Sequence, residues 1–220
     1  MAPERVTIFV GEFGSGKTEL AVNYALYLAQ NGHKTAIVDY DLVKPYFRTR
    51  ENQSLLEQKG VFVVAPEKRL AHTDLPILPQ DLTRILYDPT YQVVMDVGGG
   101  ESAISLGQIH QKLAEVTYQA FLVVNALRPF TSTIEGIREV RTKIEKVARI
   151  QISGLVSNTN LADETKLAHV EQGLKLVEEA ARQMMLPVKW LVVPTWLAGQ
   201  VKTDHPIFEL TPYTKYPWME

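Results

Sequence analysis

Apolar and polar positions alternate in blocks along this chain rather than residue by residue. Short runs, most of them apolar throughout, occur at Val6–Val10, Thr35–Asp39, Val61–Ala65, Gln92–Val97, Ala120–Asn125, Ile150–Ser157 and Val188–Val193. Runs of that length without alternation fit strands covered on both faces. Between them lie segments of helical period. Leu20, Tyr24, Tyr27 and Leu28 form one stripe, Ile134, Ile137, Val140, Ile144 and Val147 a second, and Leu167, Val170, Leu174, Val177, Ala181 and Met184 a third. Ser132 and Glu135 have capping-box spacing at the start of the second. Helices between consecutive apolar strands predict right-handed crossovers. The expected fold is therefore α/β: a three-layer, doubly wound, mostly parallel sheet of seven or eight strands with helices on both faces. The stretch 66–89 has four prolines and weak periodicity, which predicts a loop with one short helix. No linker or repeat interrupts the pattern, so 1–220 is read as a single domain.

Composition narrows the chemistry. A 45% hydrophobic fraction over 220 residues supplies an ample core. Lys and Arg number 23 against 25 Asp and Glu, a net charge of −2, so no basic footprint for nucleic acid is expected. With no cysteine, disulfides, thiol catalysis and cysteine-ligated metals are excluded. No apolar stretch approaches the roughly 20 residues of a membrane span, and the first residues do not read as a signal peptide. A cytoplasmic protein is the expectation.

The segment "GEFGSGKT" fits G-x-x-x-x-G-K-[ST] through Gly11, Gly16, Lys17 and Thr18, with an apolar strand before it and a helix after it. Glycines permit the tight turn that aims successive N–H groups at phosphate oxygens, and the new helix adds its positive end. Gly14, Ser15 and Glu19 complete the expected nucleotide contacts. Lys17 is expected at the β/γ-phosphates as a catalytic group and Thr18 on Mg2+. Asp96 closes an apolar strand in "VVMDVGGG" and is the expected second metal contact. Gly99 completes a D-x-x-G pattern suited to registering a γ-phosphate. Asp39 and Asp41 end the strand after the first helix, at the carboxyl edge where ligands bind. Asp39 is assigned to the metal and Asp41 to positioning the attacking water.

In that order, "GEFGSGKT", "VDYDLVKP" and "VVMDVGGG" resemble the MinD/ParA/CobQ–CobB superfamily of P-loop proteins. "NALRPFTST" and "LVSNTNLADET" resemble an ATP-binding branch of it. The resemblance implies that Asp41 is the water-activating acid, Asp96 the Walker B acid, and Asn158 and Pro194 the adenine pocket. One departure stands out: Glu12 occupies the position of the lysine by which MinD and ParA reach a partner's nucleotide. Dethiobiotin synthetase and CobB-type amidases also lack that lysine.

Asn160 and Asp163 loosely follow a guanine-recognition pattern, but Leu161 replaces its lysine, so a helix-capping role is preferred for them. Arg48, Arg50 and Arg128 could hold an anionic second substrate or line the phosphate edge. The five histidines lack metal-ligand spacing and are expected in surface or capping roles, and Trp190, Trp196 and Trp218 in packing. The expected function is a Mg2+–ATP-binding protein, a slow ATPase acting as a nucleotide switch with an unidentified protein or small-molecule partner and a homodimer left open. The alternative is an ATP-driven phosphoryl-transfer or ligase enzyme for a small acidic metabolite. Neither a membrane nor nucleic acid is expected as a partner.

Overall fold

The computed structural model describes residues 4–40, 52–64 and 81–213. Eight strands form one sheet in the order β3-β2-β4-β1-β5-β6-β7-β8, and every pairing is parallel. The strands are β1 (Val6–Val10), β2 (Thr35–Asp39), β3 (Val61–Val64), β4 (Gln92–Asp96), β5 (Tyr118–Val124), β6 (Gly154–Ser157), β7 (Val188–Pro194) and β8 (Ile207–Leu210). The helices are α1 (Lys17–Gln30), α2 (Gln53–Gln58), α3 (Asp81–Tyr87), α4 (Glu101–Leu106), α5 (His110–Ala114), α6 (Ile134–Ala148) and α7 (Leu167–Met184).

The unbroken apolar runs are explained by burial on both faces. Val6, Ile8 and Val10 of β1 join a core with α3, α4, α5, α6 and α7, through residues such as Ile85, Leu106, Leu113, Ile144 and Val177. Phe9, between them, faces the other way into a core with α1 and Leu56 of α2. Each fully buried Ile, Leu or Phe contributes roughly 1.5–3 kcal/mol, so both layers are held by many such increments.

Several expectations need adjustment. Helix α1 is buried almost all round, including Ala21, Val22, Ala25 and Leu26, whereas Tyr27 of the expected stripe is 52% exposed. The cap of α6 is Thr133, whose hydroxyl accepts from Gly136 N–H at 3.1 Å. Ser132 instead donates to the Pro129 carbonyl. Strand β6 begins at Gly154 rather than Ile150, because the amides of Gln151 and Ile152 donate to Tyr118 Oη and Glu145 Oε1. Strand β5 starts earlier, Tyr118 and Gln119 keeping register with Val6 and Thr7. Strand β8 had no signal in the apolar pattern: only its last residue is buried. Within 66–89 the described part is helical at Asp81–Tyr87, as expected.

Tyr40, directly after β2, is fully buried and its hydroxyl donates to the Ser105 carbonyl at 3.0 Å, tying the sheet edge to α4. Burial pushes its phenol well above the ordinary value near 10. The native state therefore keeps the phenol neutral while the unfolded chain ionises it, and stability falls as pH rises above about 10. Tyr40→Phe should cost about 1–2 kcal/mol at neutral pH through the unmet carbonyl. The same substitution should flatten the alkaline loss, as read by denaturant titration at pH 7 and above pH 10.

Candidate functional site

The carboxyl ends of β1, β2, β4 and β5 carry the loop, the two strand-end acids and the β5 connection on one edge of the sheet. The loop at residues 11–16 is turned by Gly14 (φ 78°) and Gly16 (φ 79°), both left-handed. A Cβ on Gly16 would lie 2.4 Å from Asn158 Nδ2, and one on Gly11 2.6 Å from the Val123 carbonyl. Neither position has room for a side chain. Gly16 caps α1, so the helix's positive end opens into the turn.

The loop's carbonyls face outward and are held there. Gly14 O accepts from Asn125 Nδ2 at 3.2 Å and Arg128 Nε at 3.1 Å, and Ser15 O from Asn158 Nδ2 at 2.8 Å. The Ser15 N–H closes the turn on Glu12 O at 3.1 Å. Among the described residues, the N–H groups of Gly14, Gly16, Lys17 and Thr18 meet no acceptor. The buried Ser15 Oγ likewise has no partner there. Lys17 is only 4% exposed, and no described carboxylate pairs with it. A buried ammonium beside a ring of free donors is costly unless an anion completes it.

Asp39 and Asp96 are in-register neighbours on β2 and β4, and both are nearly buried. Asp96 is also in register with Phe9 of β1, close to the start of the loop. Adjacent carboxylates repel unless a proton or cation is placed near them, and hard oxygen ligands suit Mg2+. With the Thr18 hydroxyl on the first turn of α1, the donor set fits that ion. Glu12 is half-buried, and its Oε2 lies 3.5 Å from where a Gly99 Cβ would stand; Gly11 O is 3.2 Å from the same point. Its carboxylate thus faces the loop after β4.

A pocket beside Gly16 is lined by Glu19, Asn158, Asn160, Asp163, Pro194 and Trp196, among others. It brings Asn158 and Pro194 together next to the loop. Glu19 forms part of the wall, with one carboxylate oxygen accepting from Tyr213 N–H at 2.7 Å. Asn160 and Asp163 do not cap α7, whose N-cap is Lys166; they belong to the pocket wall. Trp196, expected only in packing, is 44% exposed on that wall. Arg128 holds the loop through Gly14. Asp41, Arg48 and Arg50, together with His72 and Trp218, lie outside the described residues. His169 accepts from Lys166 N–H at the start of α7 and His205 pairs with Glu178, in keeping with capping and surface roles.

Asn125 is the residue that sequence reasoning missed. It is fully buried at the end of β5. Its Nδ2 donates to Gly14 O and Asn160 O, and its Oδ1 accepts from Leu127 N–H and Asn160 N–H. One amide therefore joins the loop, the β5 connection and the pocket wall. The available signal was its place: a polar residue closing the apolar "FLVV" at the ligand-binding edge.

A glycine-turned loop between β1 and α1 at the carboxyl edge of a doubly wound parallel sheet defines the P-loop α/β class of fold. The solved structures similar to it agree. Chloroplast FtsY from Physcomitrella patens superposes with a TM-score of 0.57 at 18% identity, over 86% of this chain and 58% of that one. FtsY from Mycoplasma mycoides gives 0.53 at 19% identity, over 84% and 58%. Signal recognition particle 54 kDa protein from Aeropyrum pernix K1, in complex with GDP, gives 0.53 at 22%, over 86% and 41%. The chain thus spans well under two thirds of these structures, and at such identities the likeness concerns the fold. The sequence matches no protein-family model and no curated protein. No described helix is long and apolar enough to cross a membrane.

Asn125→Ala should release Gly14 O and Asn160 together, costing about 2–3 kcal/mol and lowering Tm by roughly 4–12 °C for a chain of this size. Calorimetric melting of the two proteins checks it; an unchanged Tm would mean that the loop keeps its shape without this residue.

Proposed function

We propose that the chain binds a Mg2+–nucleoside triphosphate at residues 11–18 and hydrolyses it slowly, as a nucleotide-dependent switch for a protein or small-molecule partner in the cytoplasm. The observation carrying this reading is the buried Lys17 ammonium, with no described counter-ion, beside the acceptor-free amides of Gly14, Gly16, Lys17 and Thr18. In this role the amides and Lys17 hold phosphate oxygens and the charge that develops on them. Thr18, with Asp39 and Asp96 nearby, would hold Mg2+, which when bound neutralises the β- and γ-oxygens. Gly99, against the start of the loop, would register the third phosphate. Asp41 as the residue that positions water rests on the family resemblance alone, as does membership of the MinD/ParA group.

ATP is the nucleotide implied by that resemblance. One specific feature favours guanine instead. Asn158 Nδ2 spends one hydrogen on Ser15 O and Asn160 Nδ2 one on Asn158 O, and the wall also carries the Asp163 carboxylate, whose oxygens only accept. Acceptors match the two donors on guanine's edge, whereas adenine also needs a donor. The GDP held by the fold relative from Aeropyrum pernix accords with this second reading. For the metabolite-enzyme alternative, Arg128 spends its Nε–H on the loop at Gly14 O, and Arg48 and Arg50 lie outside the described residues.

Melting with ATP, ADP and GTP, with and without Mg2+, tests both. A nucleotide at about 100 times its Kd adds about 2.7 kcal/mol, or roughly 5–10 °C. Lys17→Ala should abolish the shift for every nucleotide, and Asp163→Asn should weaken GTP about tenfold or more while sparing ATP if guanine is the base. No shift with any nucleotide would overturn the reading. Asp41→Ala should retain binding and lose turnover, measured as phosphate release.

A further inference from the structure

One feature left unexplained by a nucleotide is a cleft of about 500 Å3 between α1 and the β7–β8 edge. Its rings come from two distant parts of the chain. Tyr24 lies 5.2 Å from Trp190, and Trp190 5.5 Å from Phe208. Tyr27 stacks on Tyr24 at 6.2 Å and meets Phe208 edge-on at 6.2 Å. Tyr27 is half exposed, so the cleft is open at that side. The volume falls in the range of small-molecule sites, and a concave aromatic wall with a few polar groups is the composition of such sites.

The polar groups choose the charge. Lys189 lines the cleft with its ammonium 5.4 Å from the ring centres of Phe121 and Trp190. No described carboxylate forms an ion pair with it. Glu209 also lines the cleft, but it sits between Phe208 and Leu210, both packed in the α1-side core. Strand alternation therefore turns the Glu209 side chain to the opposite face. Gln30 and Gln119 add neutral amides.

We infer that this cleft is a second ligand site, taking a planar aromatic acid whose ring packs against Tyr27, Trp190 and Phe208 and whose anionic group meets Lys189. The site is separate from the pocket beside Gly16 and stands whether or not the loop binds nucleotide.

The probe is 1-naphthoate, with neutral 1-naphthamide as the charge control, titrated into the full chain by calorimetry and Trp fluorescence. Naphthoate should bind at or below about 1 mM and exceed naphthamide about fivefold. Lys189→Gln should remove that preference. Tyr27→Ala, at a half-exposed position that leaves the core intact, should weaken both probes about three- to tenfold with an unchanged far-UV spectrum. Saturating ATP or GTP with Mg2+ should not displace naphthoate. Absent binding, equal affinity for the two probes, retained affinity in both variants, or displacement by nucleotide would each overturn the assignment.

Discussion

The geometry of the site depends on three side-chain donors that hold two carbonyls outward. Gly14 O is gripped by Asn125 and Arg128, and Ser15 O by Asn158. A peptide plane is rigid, so fixing a carbonyl on one side fixes the neighbouring N–H on the other. The contact on Ser15 O thus sets the Gly16 N–H, and those on Gly14 O set the Ser15 N–H, which closes the turn on Glu12 O. Two of the three donors sit at or just past the end of β5 and the third just past β6, so the order of strands around β1 decides whether the loop can keep its shape.

The sheet supplies that order. Strand β1 lies between β4 and β5, placing Asp96 on one side of the loop and Asn125 on the other. Strand β2 next to β4 brings Asp39 beside Asp96. None of these residues is close to another in sequence. Parallel pairing with all strands pointing the same way collects their carboxyl ends on a single edge, and burial on both faces makes that arrangement stiff.

Much of this was legible in the residues. Seven of the strands were visible because parallel, doubly covered strands must be apolar throughout, and the loop because glycine spacing before a Lys–Thr pair has few other uses. The parts that escaped notice have a common cause. Strand β8 is an edge with one buried residue, so hydrophobicity had little to report. Asn125 and Trp196 act through partners 35 or more residues away or through a cavity wall, and no local pattern encodes either. The capping role preferred for Asn160 and Asp163 was a local rule that lost to tertiary context: α7 starts later, at Leu167, and the turn before it is organised by Thr165, whose hydroxyl accepts from Leu161 N–H.

The stretch from Ile207 to Tyr213 borders both the pocket beside Gly16 and the aromatic cleft. Phe208, Thr211 and Tyr213 line the aromatic cleft, and Leu210 and Pro212 the pocket beside Gly16. It is stitched to α1 by Asn23, which exchanges two bonds with Thr211, and by Glu19, which receives Tyr213 N–H. Four residues of extended chain reach at most about 14 Å and cannot lengthen. Phe208 and Pro212 are therefore held within a fixed span, and both are anchored to the helix whose first turn closes the phosphate loop.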